Sequence, residues 1–243
     1  MDFVRNHIIF ISSFLVAALY LIIGGLFYIT FYVWKKNPLA DLKIQHTNIS
    51  VDQLRRERNL SAISLIIFSV TGYFTGLLIE SGKSQLYFDI SQHSKAYFIF
   101  SIALMIFLHD GYFYWTHRLL HLPFWFEKIH IRHHLSSSPD PLTALAFHPV
   151  EAIIQAVFFP LIILTIPIHV AAILIFLLFM VFMNVLGHSG YQLFHYGKGM
   201  RKWLSWNNSS RSHDAHHQFA KGNYSLYFTF WDKWMGTNAN KSS

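Results

Sequence analysis

Three short histidine-rich segments are the residues of this chain best suited to chemistry. They are the first box, His117-Arg-Leu-Leu-His121, the second box, His130-Ile-Arg-His133-His134, and the third box, His213-Asp-Ala-His216-His217. On a helix, residues three and four apart share a face, so each box can present two or three imidazoles to one point. The pattern His-x-x-His-His occurs twice, far more often than 16 histidines in 243 residues would produce by chance. The spacing therefore predicts a metal site.

A fourth contribution comes from Asn184 and His188, which repeat the four-residue spacing at the end of an apolar run. Polar groups at membrane depth are costly and usually functional. A hydrogen bond to a neighbouring helix is the structural alternative for Asn184. We expect His188 to join the metal site, with Asn184 standing where a further histidine would complete the pattern.

The nine histidines and Asn184 form a ligand set sized for two ions, because one ion accepts about four to six protein ligands. The chain has no cysteine, which excludes thiolate sites, iron–sulfur clusters, disulfides and cysteine nucleophiles. No histidine is followed by glutamate, so the His-Glu-x-x-His motif of metalloproteases is absent. Imidazole suits iron, zinc and copper, so we expect a nitrogen-dominated site for such metals.

The composition predicts that membrane helices position these residues. Hydrophobic residues make up 53% of the chain and charged residues 13%, about half the usual charged share. The apolar runs span residues 7–34, 60–79, 97–117, 150–166 and 168–187. Such runs suit a hydrocarbon core of about 30 Å, and Pro167 is placed to break the chain between the last two. We expect an all-α integral membrane protein with about four to five transmembrane helices, unless the last two runs form a re-entrant hairpin.

The basic residues orient these helices. The loop between the first two runs carries Lys35, Lys36, Lys43, Arg55, Arg56 and Arg58, whereas the following loop carries Lys83 and Lys95. The positive-inside rule then places the first loop in the cytoplasm. Either arrangement of the last two runs brings all the histidine segments to the cytoplasmic face, as a cytosolic helical cap. The formal charge of +7 does not indicate nucleic-acid binding, because no basic helix carries interleaved aromatic residues.

An ordered series of motifs between His109 and Thr237 resembles the fatty acid hydroxylase/sterol desaturase superfamily, whose members are membrane-bound di-iron oxygenases. The strings are HDGYFYWTHRLLH (His109–His121), FEKIHIRHH (Phe126–His134), TALAFHPVE (Thr143–Glu151), GHSGY (Gly187–Tyr191) and HDAHHQFAKGNYSLYFTFWDKWMGT (His213–Thr237). The length of 243 residues predicts a single membrane-embedded module over residues 1–243. Residues 1–96 would form its N-terminal transmembrane region, and residues 97–243 its catalytic histidine-box region.

The resemblance also implies which side chains bind the metal. The metal ligands would be His117, His121, His130, His133, His134, His188, His213, His216 and His217. Some members of the superfamily have histidine at the position of Asn184, so here a weaker or water-bridged ligand would replace it.

Further residues are predicted to support the ligands, because metal-bound histidines usually donate their other ring N–H to an acceptor. Asp110, which precedes His117 by seven residues on one helical face, is a candidate acceptor together with Glu151 and Asp214. His148 could bind the metal or support a ligand, and we favour support. His109 is either a supporting residue or an interfacial histidine.

By resemblance, the expected activity is O2-dependent hydroxylation or desaturation of a sterol or fatty-acyl type lipid by a centre of two Fe ions, with Zn possible by substitution. The chain lacks a flavin or nicotinamide glycine fingerprint, so a separate electron donor is expected: a cytochrome, a ferredoxin or a reductase. The alternative is a non-catalytic membrane protein that binds metal or lipid on the same scaffold. Metal content and oxygen consumption would distinguish the two.

Overall fold

A computed structural model describes residues 2–34, 39–44, 50–136, 140–192 and 206–239. The regular structure of the described residues is helical apart from two short strands, as the sequence predicted. The α-helices are α1 (Asp2–Asn6), α2 (Ile8–Tyr28), α3 (Val51–Glu80), α4 (Lys95–Leu120), α5 (Pro123–Trp125), α6 (Ile131–His134), α7 (Pro149–Ala156), α8 (Phe158–Thr165), α9 (Val170–Gly187), α10 (Ser210–Phe219) and α11 (Phe230–Trp234). Two short strands, β1 (Leu86–Tyr87) and β2 (Ile168–His169), pair in parallel. Turns of π-helix extend α2 through Ile29–Trp34 and precede α6 at Phe126–His130.

Within the part of the chain that the structure describes, four helices are long and apolar enough to cross a membrane, which confirms the expected class. They are Ile8–Trp34, Val51–Glu80, Lys95–Leu120 and Val170–Gly187. Large apolar side chains such as Phe10, Ile66 and Phe100 are exposed on them. A bilayer, in which lipid tails are as apolar as these side chains, accommodates such surfaces.

The sequence predicted one apolar membrane-crossing run at residues 150–166. The structure has two eight-residue helices there, α7 and α8, which meet at Val157. Pro160 explains the break. It has no N–H to donate to the Ala156 carbonyl, and its ring would clash with that carbonyl in a continuous helix. The two short helices still connect opposite ends of the bundle: Glu151 contacts His130 at one end, and Pro167 accepts a hydrogen bond from the Tyr97 hydroxyl at the other.

Close packing of α2 on α3 depends on Gly72 and Gly76, which lie four residues apart on one face of α3. A Cβ at Gly72 would overlap the carbonyl oxygen of Ser12, and one at Gly76 would lie 2.6 Å from the Cα of Ile9. The two backbones therefore approach more closely than any larger residue permits.

Helix α9 lies at the centre of the packed interior. Its Val181 and Val185 belong to one buried cluster with Tyr20 of α2, and its Ala172 and Phe176 belong to another with Met105 of α4 and residues of α8. This packing directs the last residue of α4, the start of α7 and the last residue of α9 to the same end of the molecule, where the histidines lie.

Candidate metal centre

The histidines of the boxes form two adjacent groups. The first group is His117, His121, His130, His134 and His216, and the second is His133, His188, His213 and His217. Within each group, the candidate ligand nitrogens all lie within 4.8 Å of one another. Four chain segments supply them: the end of α4 with the residue after it, α6 with the π-helical turn before it, the residue directly after α9, and α10.

Each of the two His-x-x-His-His boxes contributes two histidines to one group and one histidine to the other. In the second box, His130 and His134 join the first group and His133 joins the second. In the third box, His213 and His217 join the second group while His216 joins the first. Residues i and i+4 lie about 40° apart around the helix axis, whereas the adjacent residues i+3 and i+4 lie about 100° apart, so the histidine at i+3 can point to the neighbouring group. Each box therefore links both groups.

Distances between ring nitrogens match those required around an ion. The Nε2 atoms of His117 and His130 are 3.0 Å apart, and those of His121 and His216 are 3.2 Å apart. In the second group, the Nε2 atoms of His213 and His188 are 3.0 Å apart. A metal–nitrogen distance of about 2.1 Å places neighbouring ligand atoms about 3 Å apart at right angles. The nine imidazoles fit two ions bound through nitrogen.

Backbone carbonyls hold several of these rings in the tautomer that a metal requires. The Nδ1 atom of His117 donates to Tyr224 O (2.8 Å), that of His216 to Gly222 O (2.7 Å), and that of His188 to Asn184 O (2.9 Å). Because Nδ1 carries the proton, Nε2 presents its lone pair to the centre of the group.

Glu151 is the carboxylate that contacts His130. Its Oε1 atom is 3.0 Å from the Nδ1 atom of His130, and both side chains are buried. Glu151 lies in the first turn of α7, and His148 caps that helix by accepting the N–H of Val150 at 3.2 Å. His148 thus acts on α7 and is in neither histidine group.

The other predicted supporting residues lie around the groups and contact different partners. Asp110 accepts the backbone N–H of Tyr227 (2.7 Å), so the His117 ring is held by a carbonyl and not by this carboxylate. His109 hydrogen-bonds to the Tyr227 hydroxyl (2.9 Å), and Asp214 accepts from Gln218 (2.9 Å). The Asn184 amide donates to Ala144 O (3.3 Å), and direct ligation by Asn184 stays a prediction.

Asp232 is a supporting residue that the sequence reasoning missed. Its carboxylate accepts the N–H groups of Tyr224 (2.9 Å) and Ser225 (3.0 Å), and Thr237 donates to it at 2.8 Å. These bonds shape the segment after α10, where Ala220 and Asn223 have positive φ values of 51° and 55°. The segment then presents its Gly222 and Tyr224 carbonyls to His216 and His117. The string Asn223-Tyr-Ser-Leu-Tyr-Phe-Thr-Phe-Trp-Asp232 contained the only signal, a carboxylate after a turn.

Burial keeps the imidazoles neutral. Removal from water lowers the pKa of His134 to about 3, and those of His188 and His216 to about 4. The same cause holds the pKa values of His213 and His217 well below the usual range. Neutral imidazole is the form that binds metal.

A cavity of about 400 Å³ with mostly apolar walls ends beside the histidine groups, at Phe113, Phe147 and Asn184. Its wall follows α9 from Val170 to Asn184, about 21 Å at 1.5 Å per residue. At the histidine end, Phe113 contacts the ring of His117 (5.1 Å between centroids) and Phe147 contacts that of His133 (5.4 Å). The volume is in the range of about 300–1,000 Å³ typical of small-molecule sites.

Comparison with known proteins identifies relatives that oxidise sterols. The chain is 28% identical to human lathosterol oxidase over 202 residues, which cover 82% of this chain and 66% of that protein. It is 30% identical to a delta(7)-sterol 5(6)-desaturase of Aspergillus fumigatus (79% of this chain, 65% of that protein). It is 34% identical to a C-4 methylsterol oxidase of Schizosaccharomyces pombe (58% and 48%). The chain thus spans about two thirds or less of the length of these relatives.

No solved structure matches the chain significantly. The sequence profile of the fatty acid hydroxylase family matches residues 102–237, more than half of the chain and all four segments that carry the histidine groups. The chain therefore belongs to the fatty acid hydroxylase family, within the superfamily that includes the sterol desaturases.

Proposed function

We propose that this protein is a membrane oxidoreductase that uses O2 and two histidine-bound iron ions to hydroxylate or desaturate a lipid, with a sterol favoured over a fatty-acyl substrate. The observation that carries the proposal is the position of two groups of metal-competent histidines beside the end of a long apolar cavity, from which Phe113 and Phe147 separate His117 and His133. The names of the relatives favour the sterol. The positions that these names give, C-4 and the C-5–C-6 bond, lie close to C-3, the ring carbon that bears the hydroxyl of a sterol. C-4 is one bond from C-3, and C-5 is two bonds from it.

The proposed ligands are the nine histidines of the two groups. Ions bound there would supply the reduction of dioxygen and the removal of hydrogen from an unactivated C–H bond. The chain's own part is to fix the imidazoles through Glu151 and the carbonyls of Gly222 and Tyr224, and to hold the lipid in a dry cavity. Phe113 and Phe147 stand between the cavity and the histidines, where they exclude water and leave room for hydrocarbon.

We also propose that the histidine groups face the cytoplasm. Arg56, at the basic start of α3, donates to the Leu135 carbonyl directly after the second box at 2.9 Å. The basic loop and the histidines therefore belong to the same end of the bundle, and the positive-inside rule assigns that end to the cytoplasm. Lys35 and Lys36, which contributed to this prediction, lie outside the described residues. A separate cytochrome, ferredoxin or reductase would deliver electrons at this face.

The test is purification from an iron-supplemented host, followed by iron analysis and measurement of reductant-dependent O2 consumption with lathosterol. We expect about two irons per chain and an oxidised sterol product. His133→Ala should lose iron from the second group and lose product formation. A single redox-inert metal with no sterol oxidation would instead indicate a non-catalytic metal-binding or lipid-binding protein.

A further inference from the structure

Gln155 is one of the few polar side chains in the mostly apolar wall of the cavity, and its amide oxygen is unused. The residue is only 9% exposed, and its Oε1 atom is buried without a hydrogen-bond partner among the described residues. Buried amide oxygens nearly always have a donor, because leaving one unpaired is costly. The Oε1 atom of Gln155 is therefore suited to accept a hydrogen bond from a ligand.

The orientation of this amide is fixed by its neighbours. The Nε2 atom of Gln155 donates to Thr116 Oγ1 at 3.4 Å, and the Thr116 hydroxyl itself donates to the Tyr112 carbonyl at 2.8 Å. Since the Thr116 proton is engaged there, its oxygen can only accept from Gln155. The NH2 group must face Thr116, which leaves Oε1 as the free atom.

Gln155 also lies at the histidine end of the cavity. Thr116 directly precedes His117, and Gln155 follows Glu151, the partner of His130, by four residues on the same helix. Four residues correspond to a rise of about 6 Å along one helical face. Because Glu151 contacts His130 of the first group, an acceptor one helical turn farther along α7 can hold one end of a substrate near the metals.

We infer that Gln155 accepts a hydrogen bond from the hydroxyl group of a lipid alcohol, and so orients the substrate with its hydroxyl end toward the histidines and its hydrocarbon along α9. This inference rests on the proposed function and narrows its substrate to a lipid that carries a free hydroxyl. A sterol meets the requirement because the ring carbons near its hydroxyl would then lie closest to the metals. An esterified fatty-acyl chain offers no such donor.

The experiment measures binding, not turnover. Metal-loaded protein in lipid nanodiscs is titrated with lathosterol and with its 3-methyl ether, each in competition with radiolabelled lathosterol. The wild-type protein should bind the alcohol about tenfold more tightly than the ether. Gln155→Leu should lose about tenfold in affinity for the alcohol and keep its affinity for the ether. Gln92→Leu, the same change at an exposed residue near the opposite end of the bundle, should retain the wild-type preference.

Two results would overturn the inference: equal binding of alcohol and ether by the wild-type protein, or full retention of the preference by Gln155→Leu. The first comparison uses the wild-type protein alone, so it stands even if the variant folds poorly. Failure of the proposed function has a different signature. In that case lathosterol binds with the Gln155-dependent preference, yet iron-loaded protein supplied with reductant and O2 leaves it unchanged.

Discussion

Each His-x-x-His-His box is shared between the two groups, and this gives the middle histidine of the pattern, at i+3, a role of its own. Residues i and i+4 would suffice for one ion, as in the first box, where His117 and His121 both join the first group. The added residue at i+3 reaches the neighbouring group, as His133 and His216 do. Loss of His133 should therefore weaken metal binding in the second group, and loss of His216 should weaken it in the first group.

Glu151 provides the sharpest test of how the ligands are held. Glu151→Gln keeps the size of the side chain but replaces a carboxylate with a neutral amide beside His130 Nδ1, which makes the imidazole a poorer ligand. We expect iron affinity in the first group to fall about 10- to 100-fold. Competition with a chelator of known affinity measures the change.

The matched control is Glu127→Gln, in the π-helical turn before His130, because Glu127 is exposed. Equal iron affinity in the Glu151→Gln and Glu127→Gln variants would contradict the proposed support of His130.

The sequence identifies the candidate ligands better than it identifies the groups that hydrogen-bond to them, and the reason is physical. Helical spacing of three and four residues is visible in a sequence, and it assigned His213, His216 and His217 to the metal centre before any coordinates, although the division of the box between two groups was not predicted. The acceptors of His117 and His216 are carbonyls of Tyr224 and Gly222. Every residue has a carbonyl, so their selection depends on a loop conformation that no side-chain pattern encodes.

At the scale of elements, the packing of α2 on α3 sets the wall of the cavity opposite α9. Gly72 lines the cavity and also touches the backbone of α2. A side chain at this position must push the helices apart, since the overlapped atom is a backbone oxygen that cannot rotate away.

We therefore expect Gly72→Ala to lower the free energy of unfolding by about 1–3 kcal/mol, seen as a lower thermal midpoint in detergent. Gly25→Ala is the control, because a Cβ there meets nothing within 4 Å, and alanine favours helix over glycine by about 1 kcal/mol. A midpoint unchanged by Gly72→Ala would mean that the helices do not approach as closely as described.

The break in the fourth apolar run shows where hydropathy stops being informative. Residues 150–166 are mostly apolar, with Glu151 and Gln155 as exceptions, so their composition predicts one continuous helix. Pro160 carries the contrary signal, because its missing N–H ends the hydrogen-bond ladder at Ala156. Proline within four residues of a helix start is tolerated, so the chain begins a new helix at Phe158.

At the scale of the whole molecule, the two ends are held differently. The far end is joined by the β1–β2 pair and by the Tyr97–Pro167 hydrogen bond, whereas the histidine end unites four segments through imidazoles. Bound ions would add their binding free energy to the stability of that end only.

Removal of metal should therefore loosen one end of the protein. We expect a chelator to raise amide hydrogen–deuterium exchange in α6 and α10, which carry the second and third boxes. Exchange in the core of α2 and α3 should stay unchanged, since their contact involves no histidine group. A uniform rise across all helices would argue that the ions stabilise the entire fold.

The geometry of the histidine end depends on Asp232, a residue that lies far from the boxes in the sequence. It follows the last histidine of the third box by fifteen positions, yet it shapes the segment whose carbonyls orient His117 and His216. A premature stop codon at position 230 would leave every box intact in the encoded polypeptide. Such a product would pass a motif search as a complete enzyme while lacking the carboxylate that sets two of its imidazoles.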